Sequence, residues 1–244
     1  MTQALANKAA RELESEVPLT LERALDPDWL SMALGAKVSQ VEQVEVIRTV
    51  ATKVRFAATV DGQEGRQHYC LKGLLDTDDA SRIGGATCVL EGDFYTKVAP
   101  TLHVRVPECL VAVVDRTAQQ GVIIMRDLIA AGAKFCSALD PFTADDAAQS
   151  LEQLAQLHMG SAFLAGAPWI RPRAAELARM TYITPEMLQQ LMDGPRGDGL
   201  PAPVRRADLL IAGMRALADR DEARPQFLVH GDSHAGGITL TLPL

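Results

Sequence analysis

The chain has 244 residues, which is enough for one large domain or two small lobes. Hydrophobic residues make up 48% and charged residues 23% of the sequence, the ordinary composition of a globular protein. The formal net charge of −7 argues against a dedicated nucleic-acid-binding protein, because such a protein normally has a basic patch.

The cysteines and the apolar segments bear on the cellular compartment. The four cysteines form no C-x-x-C pair, which disfavours a thiolate metal site or a redox dithiol and favours free thiols in a reducing compartment; they are Cys70, Cys88, Cys109 and Cys136. Arg11, Glu12 and Glu14 lie where a signal peptide would need an apolar run. No segment approaches the roughly 18 apolar residues that span a bilayer. We therefore expect a cytoplasmic protein with no membrane partner.

The first part of the chain predicts a helix followed by an antiparallel meander. Apolar residues at helical spacing predict a helix from Thr20 to Leu34, and Gly35 is a suitable end for it. Runs of β-branched residues then predict strands over residues 41–50, 52–60 and 67–75, the last two joined by an Asp-Gly turn.

The middle of the chain predicts one more helix and two more strands. Residues 86–98 have the apolar spacing of a helix, whereas residues 104–114 and 121–125 are short, apolar and β-branched. A polar stretch rich in small residues follows, up to Pro141, and we expect a boundary between two lobes there.

The remaining segment predicts mainly helices. Thr143 is suited to cap a helix whose first turn contains Asp145 and Asp146, both favourable at the positive end of the helix dipole. Further helices are predicted over residues 173–180, 185–192 and 204–219, with a loop rich in Gly and Pro at 193–203. Strands with one helix, followed by helices, predict the α+β class.

The segment from His230 to Gly237 has the most specific sequence. It reads H-G-D-S-H-A-G-G and follows the apolar run 227–229, so we expect a strand that leads into a polar, glycine-rich turn. It resembles the catalytic loop H-G-D-x-H-x-G-N of the aminoglycoside phosphotransferase and choline kinase-like superfamily, particularly its ecdysteroid kinase-like branch. Seven of the eight positions fit, and Gly237 stands where the family has Asn.

The resemblance implies a protein-kinase-like fold of two lobes. Residues 1–19 would be an N-terminal extension, 20–128 a small lobe built on an antiparallel sheet, and 129–244 a mostly helical large lobe. The chain ends at Leu244, before the family's downstream metal-binding Asp, so we expect a C-terminally truncated large lobe.

The resemblance also implies an activity, the ATP-dependent phosphorylation of a hydroxyl group on an unidentified small molecule. Asp232 would orient the acceptor hydroxyl and accept its proton, and His230 would brace the loop. ATP and Mg²⁺ are the cofactors of the family. Since the Asn and the downstream Asp are missing, we assign no metal ligands and expect an inactive or weakly active chain.

The nucleotide-binding residues implied by the resemblance lie in the small lobe. Lys72, in an apolar strand, would touch the phosphates, and Glu91 would pair with it, with Asp93 as a competing acid. Thr52 and Lys53 belong to a loop that would cover the phosphates, although it contains no glycine. The alternative is that Lys72 is an ordinary solvated residue of a strand and Glu91 an ordinary solvated residue of a helix.

The segment Ile123–Leu128 resembles the linker between the lobes. Backbone groups at Met125, Asp127 and Leu128 would bind the edge of an adenine ring, and Arg126 replaces an acid that is usual in the family. The alternative is a strand that simply ends at a polar turn.

Three other functions compete with a kinase. The first is a non-catalytic, kinase-like nucleotide-binding module or a truncated pseudoenzyme. The second is a metal-dependent phosphoesterase that uses His230, Asp232 and His234, which would require several more His and Asp ligands than the chain offers. The third is an esterase with Ser233 as nucleophile, which lacks a well-placed general base.

Overall fold

We describe a computed structural model of the chain over residues 16–77, 84–137, 139–179, 183–233 and 239–240. The protein belongs to the α+β class, with a five-stranded antiparallel sheet and several helices. It divides into two compact units, one of residues up to 153 together with those from 233 onwards, and one of residues 154–232. Among the described helices, none is long and apolar enough to cross a membrane.

The first unit is built on the five-stranded sheet, whose strand order is β1-β2-β3-β5-β4. The strands are β1 (Val38–Arg48), β2 (Thr52–Val60), β3 (Arg66–Gly73), β4 (Cys109–Asp115) and β5 (Gln120–Arg126). All neighbouring strands are antiparallel. The three strands predicted for the meander are thereby confirmed.

One face of the sheet, here called the core face, is mainly apolar. Val54, Phe56, Tyr69 and Leu71 are almost completely buried there, together with Ile124 of β5. Two short helices cover this face, α1 (Leu21–Ala24) and α2 (Pro27–Leu34), and Trp29 and Leu30 of α2 belong to the same core. Alternation of apolar and polar residues along β2 therefore fixes which side chains point to the core and which to the opposite face.

A third helix packs on the opposite face of the sheet, here called the charged face. Helix α3 (Gly85–Asp93) follows β3 and continues as a π-helical turn over Phe94–Val98. Its contacts are with β4 and β5, the two strands that follow it in the chain. Helix α3 thereby places its side chains beside those of β3.

The rest of the first unit consists of a small second sheet and the start of a long helix. Strand β6 (Lys134–Phe135) pairs with β7 (Thr239–Leu240). Helix α4 (Ala144–Met159) begins after Thr143, whose hydroxyl accepts the Asp146 backbone N–H at 3.2 Å and donates to the Asp146 carboxylate at 2.6 Å. The predicted cap is confirmed.

The second unit is helical. It contains α5 (Arg173–Ala178), α6 (Pro185–Asp193) and α7 (Ala207–Glu222), with short 3₁₀ turns in the connection between α6 and α7. Helix α7 packs on both α5 and α6. The predicted helices are present, with boundaries that differ by a few residues.

Three predictions of local structure were wrong in detail. The helix over 20–34 is two helices, because Asp26 caps a new helix that begins at Pro27. Residues 102–108 are irregular, so β4 begins only at Cys109. Residues 227–229 form no strand and Phe227 is 60% exposed, since no described segment pairs with them.

Candidate functional site

An ion pair between a strand and a helix is the centre of the site. Lys72 on β3 places its Nζ 2.6 Å from Oε2 and 2.8 Å from Oε1 of Glu91 on α3. The two side chains are 24% and 25% exposed, so the pair is open to one side. The ion pair expected from the sequence is present, whereas its contact with a nucleotide stays a prediction.

Helix α3 lies against the backbone of β5 and against the Val114 side chain of β4. A Cβ at Gly121 of β5 would lie 2.2 Å from the Cys88 carbonyl oxygen of α3, and a Cβ at Gly92 would lie 2.5 Å from Cγ2 of Val114. Real Cβ atoms do not approach other atoms so closely. Two glycines therefore set the distance at which Glu91 meets Lys72.

Asp93 fixes the end of α3. Its carboxylate is nearly buried and accepts hydrogen bonds from Arg116 at 2.7 and 2.9 Å and from Lys97 at 2.7 Å. Burial alone would raise the pKa of Asp93, but the hydrogen bonds from Arg116 and Lys97 outweigh it and the pKa is lowered. Asp93 is thus used to join α3 to the turn between β4 and β5, and it does not compete with Glu91 for Lys72.

Lys53 is the second cation of the site. In the register of β2 and β3 it lies directly opposite Lys72, so both lysines are on the charged face of the sheet. Like charges in opposite positions of two strands destabilise a sheet unless an anion lies near them. Glu91 supplies one carboxylate to Lys72, and within the described ranges no carboxylate forms an ion pair with Lys53. The group of Lys53, Lys72 and Glu91 therefore has one net positive charge.

Thr52, the residue before Lys53 in β2, lies on the core face of the sheet, whereas Lys53 lies on the charged face. Its side chain is buried and its hydroxyl donates to the Leu75 carbonyl at 3.3 Å. The hydroxyl is therefore engaged inside the protein, and any contact of Thr52 with a phosphate would be through its backbone.

The segment after β5 is held by its own hydrogen bonds. Asp127 donates its backbone N–H to the His68 carbonyl at 3.2 Å, and Arg126 donates its own to the Glu108 carbonyl at 3.1 Å. The Asp127 carbonyl accepts from Ala131, and the Leu128 carbonyl from Ala133 at 2.8 Å. Most of the backbone groups that would bind an adenine edge already have partners, and Met125, in β5, faces Cys70 on β3.

Arg55 is a site residue to which the sequence comparison assigned no role of its own, although it belongs to the same segment as Thr52 and Lys53. Its Nε donates to Asp127 Oδ2 at 2.8 Å and its Nη1 to Glu45 Oε2 at 2.8 Å. Hydrogen bonding to Glu45 raises the pKa of Arg55 against the opposing effect of burial, and the Asp127 carboxylate adds to the rise. The available signal was the spacing of Lys53 and Arg55, which puts both on one face of a strand.

The burial of two thiols on this side of the first unit keeps them protonated. Burial is the main cause that raises the pKa of Cys70, with the Asp127 charge second. Burial also raises the pKa of Cys109 to about 11. Neither thiol has the lowered pKa that a nucleophilic cysteine requires.

Asp232 and His230 lie in the second unit, in an exposed turn. The Asp232 backbone N–H donates to His230 Nδ1 at 3.2 Å, and Gly231 between them has a φ of +79°. Glycine adopts this left-handed conformation without strain. The hydrogen bond is the kind of bracing that the resemblance implied for His230. His234 and Gly237 lie outside the described residues.

In the part of the chain that the structure describes, no group of three or more His, Cys, Asp or Glu side chains is arranged to hold a metal ion. Comparison with protein-family models, with curated proteins and with solved structures found no match to the chain.

Proposed function

We propose that the chain is a kinase-like protein that binds the phosphates of ATP on the charged face of its sheet. The observation that supports this most strongly is the group formed by Lys72, Glu91 and Lys53. Glu91 aims one lysine and neutralises one charge, which leaves a net positive charge on a half-buried surface. Such a surface attracts an anion more strongly than an exposed lysine does, because the local dielectric is lower.

The architecture of the first unit is consistent with a kinase-like small lobe. It is an antiparallel sheet of five strands with one helix inserted between β3 and β4. The helix contributes the acid and the preceding strand the lysine, as the resemblance implies. We propose a two-lobe fold in which residues 20–128 are the small lobe and 129–244 belong to a helical large lobe, although the division into compact units falls later, after residue 153.

By the same resemblance we propose phosphoryl transfer to a hydroxyl group of a small molecule. Asp232 would orient the hydroxyl and accept its proton, while the hydrogen bond to His230 holds the turn in shape. Mg²⁺ prefers several oxygen ligands in near-octahedral arrangement. The described residues do not assemble such a set, so no step is assigned to the metal.

The proposed compartment is the cytoplasm. All four cysteines are free, in agreement with a reducing environment.

Calorimetric titration with ATP tests the phosphate site. Lys72→Ala and Lys53→Ala should each weaken ATP binding about 10- to 100-fold, since a hydrogen bond to a charged group contributes about 1.5–3 kcal/mol. Lys37→Ala is the matched control, because Lys37 is an exposed lysine immediately before β1 and its replacement should leave the affinity unchanged. Equal effects of all three substitutions would refute the assignment.

The same titration with and without Mg²⁺ separates a kinase from a binding module. A kinase is expected to bind ATP more tightly with the metal and to release ADP when a panel of small hydroxyl compounds is added. Asp232→Asn should then lower the rate of ADP release about 10²- to 10⁴-fold with ATP affinity unchanged. An ATP affinity that is the same with and without Mg²⁺, with no ADP formed, would identify a non-catalytic module.

A further inference from the structure

Arg55 lies next to the proposed phosphate site along the same strand. It is two residues from Lys53 on the charged face of β2, a step of about 6.6 Å at 3.3 Å per residue. In the strand register it lies opposite Cys70, just as Lys53 lies opposite Lys72. Its side chain is only 16% exposed.

The guanidinium group of Arg55 is fixed from two directions. Glu45 on β1 binds Nη1, and Asp127, after β5, binds Nε. The Asp127 carboxylate is itself fixed, because its Oδ1 accepts the backbone N–H groups of Ile129 at 2.9 Å and Ala130 at 3.3 Å. A planar cation held in this way loses little further freedom when a flat group is placed against it.

Besides its two carboxylate partners, Arg55 has two uncharged neighbours on the charged face. Cys70 on β3 and Met125 on β5 occupy paired positions on the same face of the sheet, and both are half-buried. The charged face therefore changes from two lysines at Lys53 and Lys72 to a flat cation beside two sulfur-containing side chains. A nucleotide has the same two-part chemistry, with anionic phosphates at one end and a flat aromatic ring at the other.

We propose that Arg55 is the base-binding residue of this site, and that its guanidinium stacks on a purine ring whose phosphates lie at Lys53 and Lys72. This inference depends on the proposed function. Guanidinium groups stack on aromatic rings, and the attraction does not depend on the hydrogen-bonding edge of the ring.

Weak discrimination between adenine and guanine follows from the same geometry. The backbone N–H groups of Arg126 and Asp127 donate to Glu108 and His68 and are not free to bind a base edge. A site that holds the ring by its face should bind ATP and GTP with affinities within about threefold of each other. Such a ratio corresponds to a difference in binding free energy of less than about 0.7 kcal/mol.

Titrations with ATP, GTP and inorganic tripolyphosphate test the inference. Arg55→Gln should weaken ATP and GTP binding about 3- to 30-fold, the range expected for loss of a stacked cation, and leave tripolyphosphate affinity unchanged. Lys72→Ala should weaken the binding of all three. Arg66→Gln is the control, because Arg66 also pairs with a β1 glutamate, Glu42, but is six residues from Lys72 on β3.

A second variant protects the test against loss of folding. Arg55→Lys keeps the positive charge but lacks the planar guanidinium group that would stack on the ring. It should therefore weaken ATP and GTP binding as Arg55→Gln does. The inference is overturned if the Arg55 variants weaken tripolyphosphate as much as ATP, if they leave ATP binding unchanged, or if ATP binds at least tenfold tighter than GTP. It is also overturned if wild-type protein binds tripolyphosphate as tightly as ATP. If wild-type protein binds neither, the proposed function itself is wrong.

Discussion

At the residue scale, charged side chains on the charged face of the sheet have distinct partners. Glu91 binds Lys72, Asp93 binds Arg116 and Lys97, and Asp127 binds Arg55. Each of these three carboxylates therefore has a cationic partner, and Arg55 also binds Glu45. Lys53 is different, since no described carboxylate forms an ion pair with it although it lies opposite another lysine. This difference is why Lys53 and Lys72 are together the proposed phosphate site.

The Asp93 pair predicts a stability that depends on pH. Because the pKa of Asp93 is lowered in the folded state, the carboxylate stabilises the fold above the unfolded pKa of about 3.9, and this stability is lost as the pH falls through the folded pKa. Asp93→Asn should lower the free energy of unfolding by about 1–3 kcal/mol at pH 7. Urea titrations at pH 7, 5, 4 and 3 measure the difference from wild type.

The expected difference is constant from pH 7 to 5 and shrinks below about pH 4, where the wild-type carboxyl becomes protonated. Asp61→Asn, at an exposed position in the turn after β2, serves as the control and should have little effect at any pH. A difference that persists unchanged at pH 3, or none at pH 7, would show that the pair does not stabilise α3.

At the element scale, the position of α3 decides whether the site exists. The helix is joined to β4 and β5 by backbone contact at Gly121 and by the Asp93–Arg116 bonds at its end. Both attachments fix the position of α3, the helix that contains Glu91. A displacement of α3 by one side-chain layer would separate Glu91 from Lys72.

Gly121→Ala is the substitution that displaces α3. Its methyl group would lie 2.2 Å from the Cys88 carbonyl oxygen, so the helix must move and we expect a loss of about 1–3 kcal/mol or more. Gly121→Ala should also weaken ATP binding, as Lys72→Ala does, because Glu91 would no longer hold Lys72 in place. Gly213→Ala in α7 is the control, since a Cβ there meets no atom within 4 Å and alanine favours a helix. Thermal melting and ATP titration of both variants measure these effects, and a stable Gly121→Ala protein with normal ATP affinity would contradict the account.

Local patterns predicted the five strands of the sheet, because alternation is a property of neighbouring residues, whereas the lysine–glutamate pair was predicted only from the resemblance. The helix over residues 20–34 was predicted without its break, although Asp26 and Pro27 form an ordinary cap and first turn. The strand at 227–229 was predicted from its apolar residues alone, but a strand also needs a partner. The Arg55–Asp127 pair joins residues 72 positions apart, and no local pattern contains that information.

At the scale of the whole molecule, the two units differ in the size of their cores. The first unit buries large side chains such as Trp29, Phe56 and Tyr69. The buried hydrophobic residues described in the second unit are mostly small ones; they are Leu157, Ala167, Ala175, Met192, Ala207, Ala218 and Leu228. Several large apolar side chains of α7 are exposed, among them Leu209 and Leu217. Buried apolar area is the main stabilising contribution, so the second unit should be the less stable.

Hydrogen exchange measures this difference directly. Backbone amides of α5, α6 and α7 should exchange faster than those of β2, β3 and β5, because local opening requires less free energy where fewer apolar side chains are buried. Limited proteolysis should cut first within residues 154–232. Equal protection of both units, with a single cooperative melt, would contradict the prediction.

An NMR titration of the ¹⁵N-labelled protein with ATP tests whether nucleotide phosphates bind at Lys53 and Lys72. We expect the largest shifts of backbone amide signals at residues 53–55, at 70–72 and around Glu91, whereas the signals near Lys37 should not move. No shifts at these three places, or the largest shifts elsewhere in the chain, would contradict phosphate binding at these lysines.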